Sequence, residues 1–154
     1  MTMPVAVVLA SSALSLTIAA RAALLIVAMA EVPAEAPIIQ GALQLGIGSL
    51  ILCGFLWRQR LAWQWGRVAT ALGFVLLAVM LFALGRAPSV RWTSVPFLLT
   101  VLQAAPLPVI FFALGTESAC DWFRLRCATC QRLSSVSADF LFTRARCLWC
   151  RTTW

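Results

Sequence analysis

Four hydrophobic runs fill most of residues 4–114, separated by three short polar breaks. The first runs from about Pro4 to Ala30 and the second from about Ile38 to Trp57. The third covers roughly Val68 to Leu84, and the fourth roughly Thr93 to Leu114. A helix needs about 20 apolar residues to cross a bilayer core, and these runs approach or exceed that length. In lipid a single segment satisfies its own backbone N–H and C=O groups only as a helix. The pattern predicts an all-α membrane fold. A four-helix transmembrane bundle occupies residues 1–118, and a small polar tail occupies 119–154. The breaks carry fitting punctuation: Pro33 and Pro37 with Glu31 and Glu35 in the first, Arg58, Arg60 and Arg67 in the second, Arg86, Pro88 and Arg91 in the third.

Composition sharpens this picture. The chain has 154 residues, 62% hydrophobic and 11% charged, against about 45–50% and about 25% in soluble domains. It contains no His, Lys, Tyr or Asn, and all twelve cations are Arg. Without His there is no His-ligated haem, no His general base and no His-bound metal. Without Lys there is no Schiff base. The net charge of +7 fits membrane topology better than nucleic acid. Arg58, Arg60 and Arg67 in the second break, with Arg124, Arg126, Arg132, Arg144, Arg146 and Arg151 in the tail, lie on one side. Arg86 and Arg91 lie on the other, with Glu31 and Glu35. The positive-inside rule then places both termini in the cytoplasm. Trp57, Trp63, Trp65 and Trp122 are expected at the inner interface and Trp92 at the outer one. A cleaved leader is the competing reading of the first run, but no positive charge precedes it and it is long.

Burial does not drive helices together in lipid, so small residues that permit close approach matter more. Ser11, Ser15, Ala19 and Ala23 form a row on the first helix. With Ala42 and Gly46, and Gly41 and Gly48 nearby, they are expected to form the seam between helices one and two. Arg21 lies about ten residues from the outer end of its run, where a charge is costly. Gln44, Gln103 and Thr100 reach a similar depth. Two readings stand for this layer. Arg21 either staples helices through hydrogen bonds or snorkels outward, or it receives an anionic ligand or headgroup. Pro106 and Pro108 are expected to kink the fourth helix nearby.

The tail carries Cys127-Ala-Thr-Cys130 and, after sixteen residues, Cys147-Leu-Trp-Cys150. This spacing fits a four-cysteine zinc site. Each short pair can aim two thiolates at one point, and four sulfurs in a tetrahedron close the coordination shell of a structural zinc. So small a tail draws most of its folding energy from the metal. It resembles the zinc-ribbon module, two metal-binding knuckles joined by an antiparallel hairpin. That resemblance implies hairpin strands within Val136–Ala145, around Phe140 and Phe142. The match departs at Gln131 and Arg151, where such knuckles carry Gly, and in having no Pro inside them. Four spans followed by a ribbon also resemble the layout of small bacterial membrane proteins, which implies the bacterial inner membrane. Three alternatives stay open: iron in a rubredoxin-like site, a dithiol redox pair, and knuckles that bind nothing. A reducing compartment favours metal over disulfide. Cys53 is expected in the core, and Cys120 is expected as an unmodified thiol, with acylation the alternative.

Arg124, Arg126, Arg132, Arg144, Arg146 and Arg151, with Trp149 and Trp154, offer a contact surface for anionic headgroups, a membrane subunit or a cytoplasmic protein. Tethering at the membrane favours these over nucleic acid. The sequence therefore reads as a non-catalytic integral membrane protein, an accessory, scaffold or regulatory subunit of a membrane assembly. The alternative is a thiol redox protein, or an anion or lipid carrier that uses Arg21.

Overall fold

The computed structural model describes residues 2–31, 35–86, 95–134, 136–139 and 141–154. Helices α1 (Val5–Glu31), α2 (Glu35–Leu56) and α3 (Arg60–Gly85) are followed by α4 (Val95–Ala104), α5 (Pro106–Leu114) and the short α6 (Glu117–Trp122). Four stretches are long and apolar enough to cross a membrane: Val5–Ala30, Ile38–Leu56, Arg60–Ala83 and Phe97–Leu114. The expected start of the fourth run at Thr93 lies outside the described residues, as do Arg91 and Trp92. Of Glu31 and Glu35 only the backbone is described.

Two element boundaries differ from the sequence reading. The third helix begins at Arg60 rather than near Val68, so most of the expected linker is helical. The turn is compressed into Trp57–Gln59 because α2 ends in a tight cap. Arg58 adopts the left-handed conformation, with φ of 58°. Its N–H bonds the Phe55 carbonyl at 3.3 Å, and the Gln59 N–H bonds the Gly54 carbonyl at 2.9 Å. This is a Schellman closure with Arg where Gly is usual. The fourth run is interrupted at Ala105, and Pro106, which has no N–H to give, opens α5. This is the break expected from the two prolines.

Consecutive helices run antiparallel. Gly41 of α2 faces Leu25 of α1 while Gly48 faces Ile18, so the register rises on one helix as it falls on the other. Gly66 and Gly73 of α3 meet Leu114 and Leu107 of α5 in the same way. Helix α1 packs on α2, α4 and α5, and α3 packs on α2, α4 and α5. Among the described residues α1 does not meet α3, and α2 meets neither α4 nor α5. The bundle is thus a four-sided ring whose diagonals stay apart.

The expected small-residue seam is only partly formed. Ser15, Ala19, Ala42 and Gly46 are exposed. A Cβ added at Gly46 would meet nothing within 4 Å, whereas at Gly41 and Gly48 it would lie 2.6 and 3.2 Å from Leu25 and Ile18. The seam is made by large α1 side chains seated over two α2 glycines, not by small residues facing each other.

The densest packing lies at one end. Val7, Leu14, Phe55, Trp63, Ile110 and Leu114 of the bundle join Phe123, Leu125, Phe142 and Ala145 in a single hydrophobic cluster. The core therefore runs through α6, across the boundary expected at residue 118, and into the cysteine tail. Large apolar side chains elsewhere on the four helices stay exposed, among them Ile26, Leu50, Leu76 and Phe112. Lipid is the solvent in which that exposure carries no penalty.

Candidate metal centre

The tail is built as two copies of one ten-residue unit, 125–134 and 145–154, offset by 20 residues. In each, the N–H of the first Cys bonds a carbonyl five residues on: Cys127 to Arg132 and Cys147 to Thr152, both at 2.9 Å. In each, the residue after the second Cys folds back on the first, Gln131 to the Cys127 carbonyl at 3.0 Å and Arg151 to the Cys147 carbonyl at 3.1 Å. Isolated bridges Arg126–Leu133 and Arg146–Thr153 close both units. Gln131 and Arg151 have φ of 57° and 60°. These are the positions where a knuckle normally carries Gly, and the chain enters the left-handed region there with ordinary side chains. That conformation costs about 1–2 kcal/mol per residue.

The strands between the knuckles are far shorter than expected. Val136–Ser137 (β1) pairs antiparallel with Ala145–Arg146 (β2), and nothing longer forms among the described residues. Asp139 explains why. Its carboxylate accepts from the Thr143 N–H at 2.8 Å and the Arg144 N–H at 3.1 Å, and also bonds the Thr143 hydroxyl. These bonds cap the Thr143 and Arg144 amides with the Asp139 side chain in place of ladder pairs. Phe142 is buried at φ of 53°, while Phe140 lies outside the described residues.

The two units bring Cys127, Cys130, Cys147 and Cys150 together, all four Sγ atoms lying within 4.8 Å of one another. Two sulfur–sulfur approaches of 3.5 Å, Cys127–Cys150 and Cys130–Cys147, both join one knuckle to the other. A tetrahedron of thiolates with metal–sulfur bonds of about 2.3 Å places the sulfurs about 3.8 Å apart, so the pocket has the size of a single ion. Both first cysteines are buried, and the second of each pair is half-buried.

Electrostatics point the same way. N–H donation from Cys130, then the Thr152 side chain and the Thr129 N–H, hold the Cys127 thiol down at about 5. The Cys150 and Trp149 N–H groups lower Cys147 likewise, the Trp149 bond measuring 3.4 Å. At Cys130 the Arg132 N–H also lowers the value, but burial and the neighbouring thiols outweigh it and raise it to about 11. The amide donors that lower Cys127 and Cys147 favour thiolate at the first position of each knuckle, the form in which sulfur binds a metal. The donor set, its spacing and its amide contacts fit a metal ion held by four sulfurs.

The expected contact surface divides. Arg126 is committed inward: it pairs with Asp121 at 2.8 Å and donates to the Gln131 carbonyl at 3.0 Å, clasping the first knuckle. Arg132 stacks 4.6 Å over Trp149, and Trp149 stays 65% exposed. Arg124, Arg144, Arg146 and Arg151 are exposed. Trp154 is turned the other way, half-buried against Arg60 of α3, with its indole N–H on the Arg124 carbonyl at 3.1 Å.

A bundle-to-tail latch was not anticipated. The Arg60 guanidinium donates to the carbonyls of Trp154 at 2.9 Å, Arg124 at 3.0 Å and Thr143 at 3.2 Å. Arg58 donates to the Trp122 carbonyl at 3.0 Å and lies 4.4 Å over its ring. The Trp122 indole answers on the Phe55 carbonyl at 3.1 Å. Phe55 and Phe123 pack edge to face at 5.8 Å. Arg124 closes α6 in the left-handed conformation, φ 55°, as Arg58 closes α2. The sequence signal for the doubled tail was available as Arg-Cys-x-x-Cys at 126–130 and 146–150. The latch had none, since arginines in a membrane linker look like topology markers.

Other expectations are revised. Trp63 is buried within the protein, and its indole bonds the Leu114 carbonyl at 2.8 Å. Trp57 and Trp65 are exposed. Cys53, expected in the core, is exposed, and Cys120 is buried, where desolvation pushes its thiol up. Arg21, Gln44 and Gln103 line one cavity. Arg21 Nε is buried without a hydrogen-bond partner among the described residues. Thr100 is buried in α4 and does not line this cavity.

No family model, no curated protein and no solved structure matches this chain.

Proposed function

We propose that this is a non-catalytic integral membrane protein whose four-cysteine tail holds a structural zinc ion on the cytoplasmic face of the bundle. The observation that carries the reading is the convergence of four Sγ atoms within 4.8 Å at the centre of two repeated, amide-lined knuckles. Cys127, Cys130, Cys147 and Cys150 would hold the metal, which would supply a cross-link and leave no open position for chemistry. Reduced cytoplasmic thiols suit that role, and the clustering of arginines supports cytoplasmic termini in a bacterial inner membrane.

Locked to the bundle by Arg58 and Arg60, the metal-bound tail is a rigid platform rather than a tethered arm. It presents Leu148 and Trp149 at the tip of the second knuckle, 69% and 65% exposed, beside Arg132, Arg146 and Arg151. An apolar tip ringed by arginine suits docking to a protein subunit or to anionic headgroups. The role is that of an accessory or scaffold subunit in a membrane assembly.

The test is metal content by elemental analysis of full-length protein purified under reducing, chelator-free conditions. One zinc per chain is expected, with loss of that zinc in Cys127→Ser and in Cys147→Ser. Metal-free protein that cycles a Cys–Cys disulfide would replace this reading with redox exchange, and one iron per chain would change the ion.

A further inference from the structure

The centre of the ring is not filled. A cavity of about 560 Å³ is lined by all four walls of the bundle. It exists because the helix diagonals do not close, and because Gly73 of α3 places no side chain opposite Leu107. Its volume lies in the range of small-ligand sites. Leu14, Leu77, Leu107 and Ile110 give it apolar walls. Arg21, Gln40, Gln44 and Gln103 give it polar donors toward the end remote from the tail. Exposed Gln44 and Ile47 on α2, with exposed Leu76 and Met80 on α3, mark a mouth on the α2–α3 side.

Arg21 makes the cavity chemically specific. It lies nine residues inside the end of its apolar stretch at Ala30, roughly 13 Å along the helix. Of the five acids of the chain, Glu117, Asp121 and Asp139 do not line the cavity. Its buried Nε has no partner among the described residues. A guanidinium always keeps its charge and presents a planar fork of donors suited to phosphate or carboxylate. An ionisable group at such depth marks a functional site by default.

The geometry points to a binding site for an anionic amphiphile that enters between α2 and α3. Its phosphate or carboxylate head meets Arg21 and the amides of Gln44 and Gln103, and its apolar chain lies along Leu77, Leu107 and Ile110. The head meets the buried guanidinium, and the chain fills the space the open diagonals leave. This assignment does not depend on the metal in the tail.

Full-length protein in phosphatidylcholine nanodiscs is titrated separately with phosphatidylglycerol, oleate and inorganic phosphate, and bound species are counted by native mass spectrometry. One chain-bearing anion is expected per protein, and inorganic phosphate is not retained. Whether phosphatidylglycerol or oleate is held more tightly assigns the head as phosphate or carboxylate. Arg21→Gln is expected to weaken retention at least about ten-fold, while Arg21→Lys weakens it less and Arg86→Gln leaves it unchanged. Gly73→Phe, which fills the cavity and keeps Arg21, is expected to abolish it. Zinc content measured on the same samples stays constant across these variants. Should Arg21→Gln fail to fold, Arg21→Lys and Gly73→Phe carry the test. The proposal is overturned if Gly73→Phe and Arg21→Gln retain the anion like the parent protein. It is equally overturned if inorganic phosphate binds as tightly as the lipids, or if neither anion is retained over phosphatidylcholine.

Discussion

Replacing Arg60 with Ala removes a guanidinium that ties three tail carbonyls to the first turn of α3. The bond to Trp154 is partly buried, and those to Arg124 and Thr143 are exposed. A charged hydrogen bond contributes about 1.5–3 kcal/mol and an ordinary one about 0.5–1.5 kcal/mol. With the two exposed bonds taken at the low end for solvent screening, the latch is worth about 2–4 kcal/mol. Opening of the tail from the bundle should then rise from about thirty-fold to several hundred-fold. Hydrogen exchange reads this directly. The Ala145 and Trp154 amides, paired at 3.0 and 3.1 Å beside the latch, should lose protection by that factor while α1 amides keep theirs. Arg60→Lys keeps the charge but not the planar fork and should fall between. Unchanged protection at Ala145 and Trp154 would refute the latch, and an equal loss throughout α1 would mean Arg60 supports the whole bundle instead.

Three further outcomes follow from the packing and the thiols. In metal-free protein, stability of the tail should climb from about pH 5 toward pH 9. Cys127 is deprotonated above about 5 when folded, while an unfolded thiol holds its proton to 9.0, so the unfolded state binds more protons in that window. Above pH 9 the raised Cys130 value, about 11, works against it and stability should fall, as followed by Trp fluorescence in denaturant. Trp63→Phe leaves the Leu114 carbonyl without its 2.8 Å indole donor and should lower unfolding stability by about 1–3 kcal/mol. Gly54→Ala places a Cβ 2.3 Å from that of Ala62 and should lower the melting temperature, with partial recovery in Gly54→Ala/Ala62→Gly. Gly46→Ala, with nothing within 4 Å, should leave it unchanged.

The four helices and the cysteine convergence could be read from the chain because each rests on local chemistry. An apolar run of about 20 residues has one backbone solution in lipid. Two Cys-x-x-Cys turns at this spacing have few partners other than one another and a metal. Even the break before Pro106 is local, since a missing N–H acts within one helical turn. The start of α3 was misplaced because Arg and Trp at 58–67 suggest an interfacial loop. Only the left-handed Arg58, stabilised by Trp122 from across the fold, concentrates the turn into three residues.

What needed tertiary structure was every feature that depends on which faces meet. Arg carries no intrinsic preference for the left-handed region, so its use at Arg58, Arg124 and Arg151 leaves no trace in propensity. The fusion of tail and bundle into one core rests on contacts such as Phe55 with Phe123, 68 positions apart, whose pairing no periodicity encodes. Arg21 was visible as a costly charge, yet a staple and a ligand site have the same sequence. The open helix diagonals around Arg21 leave the cavity on which the ligand-site proposal rests. Hydrophobic patterning selects the solvent for each segment, while the distances between non-neighbouring helices determine what the remaining space can hold.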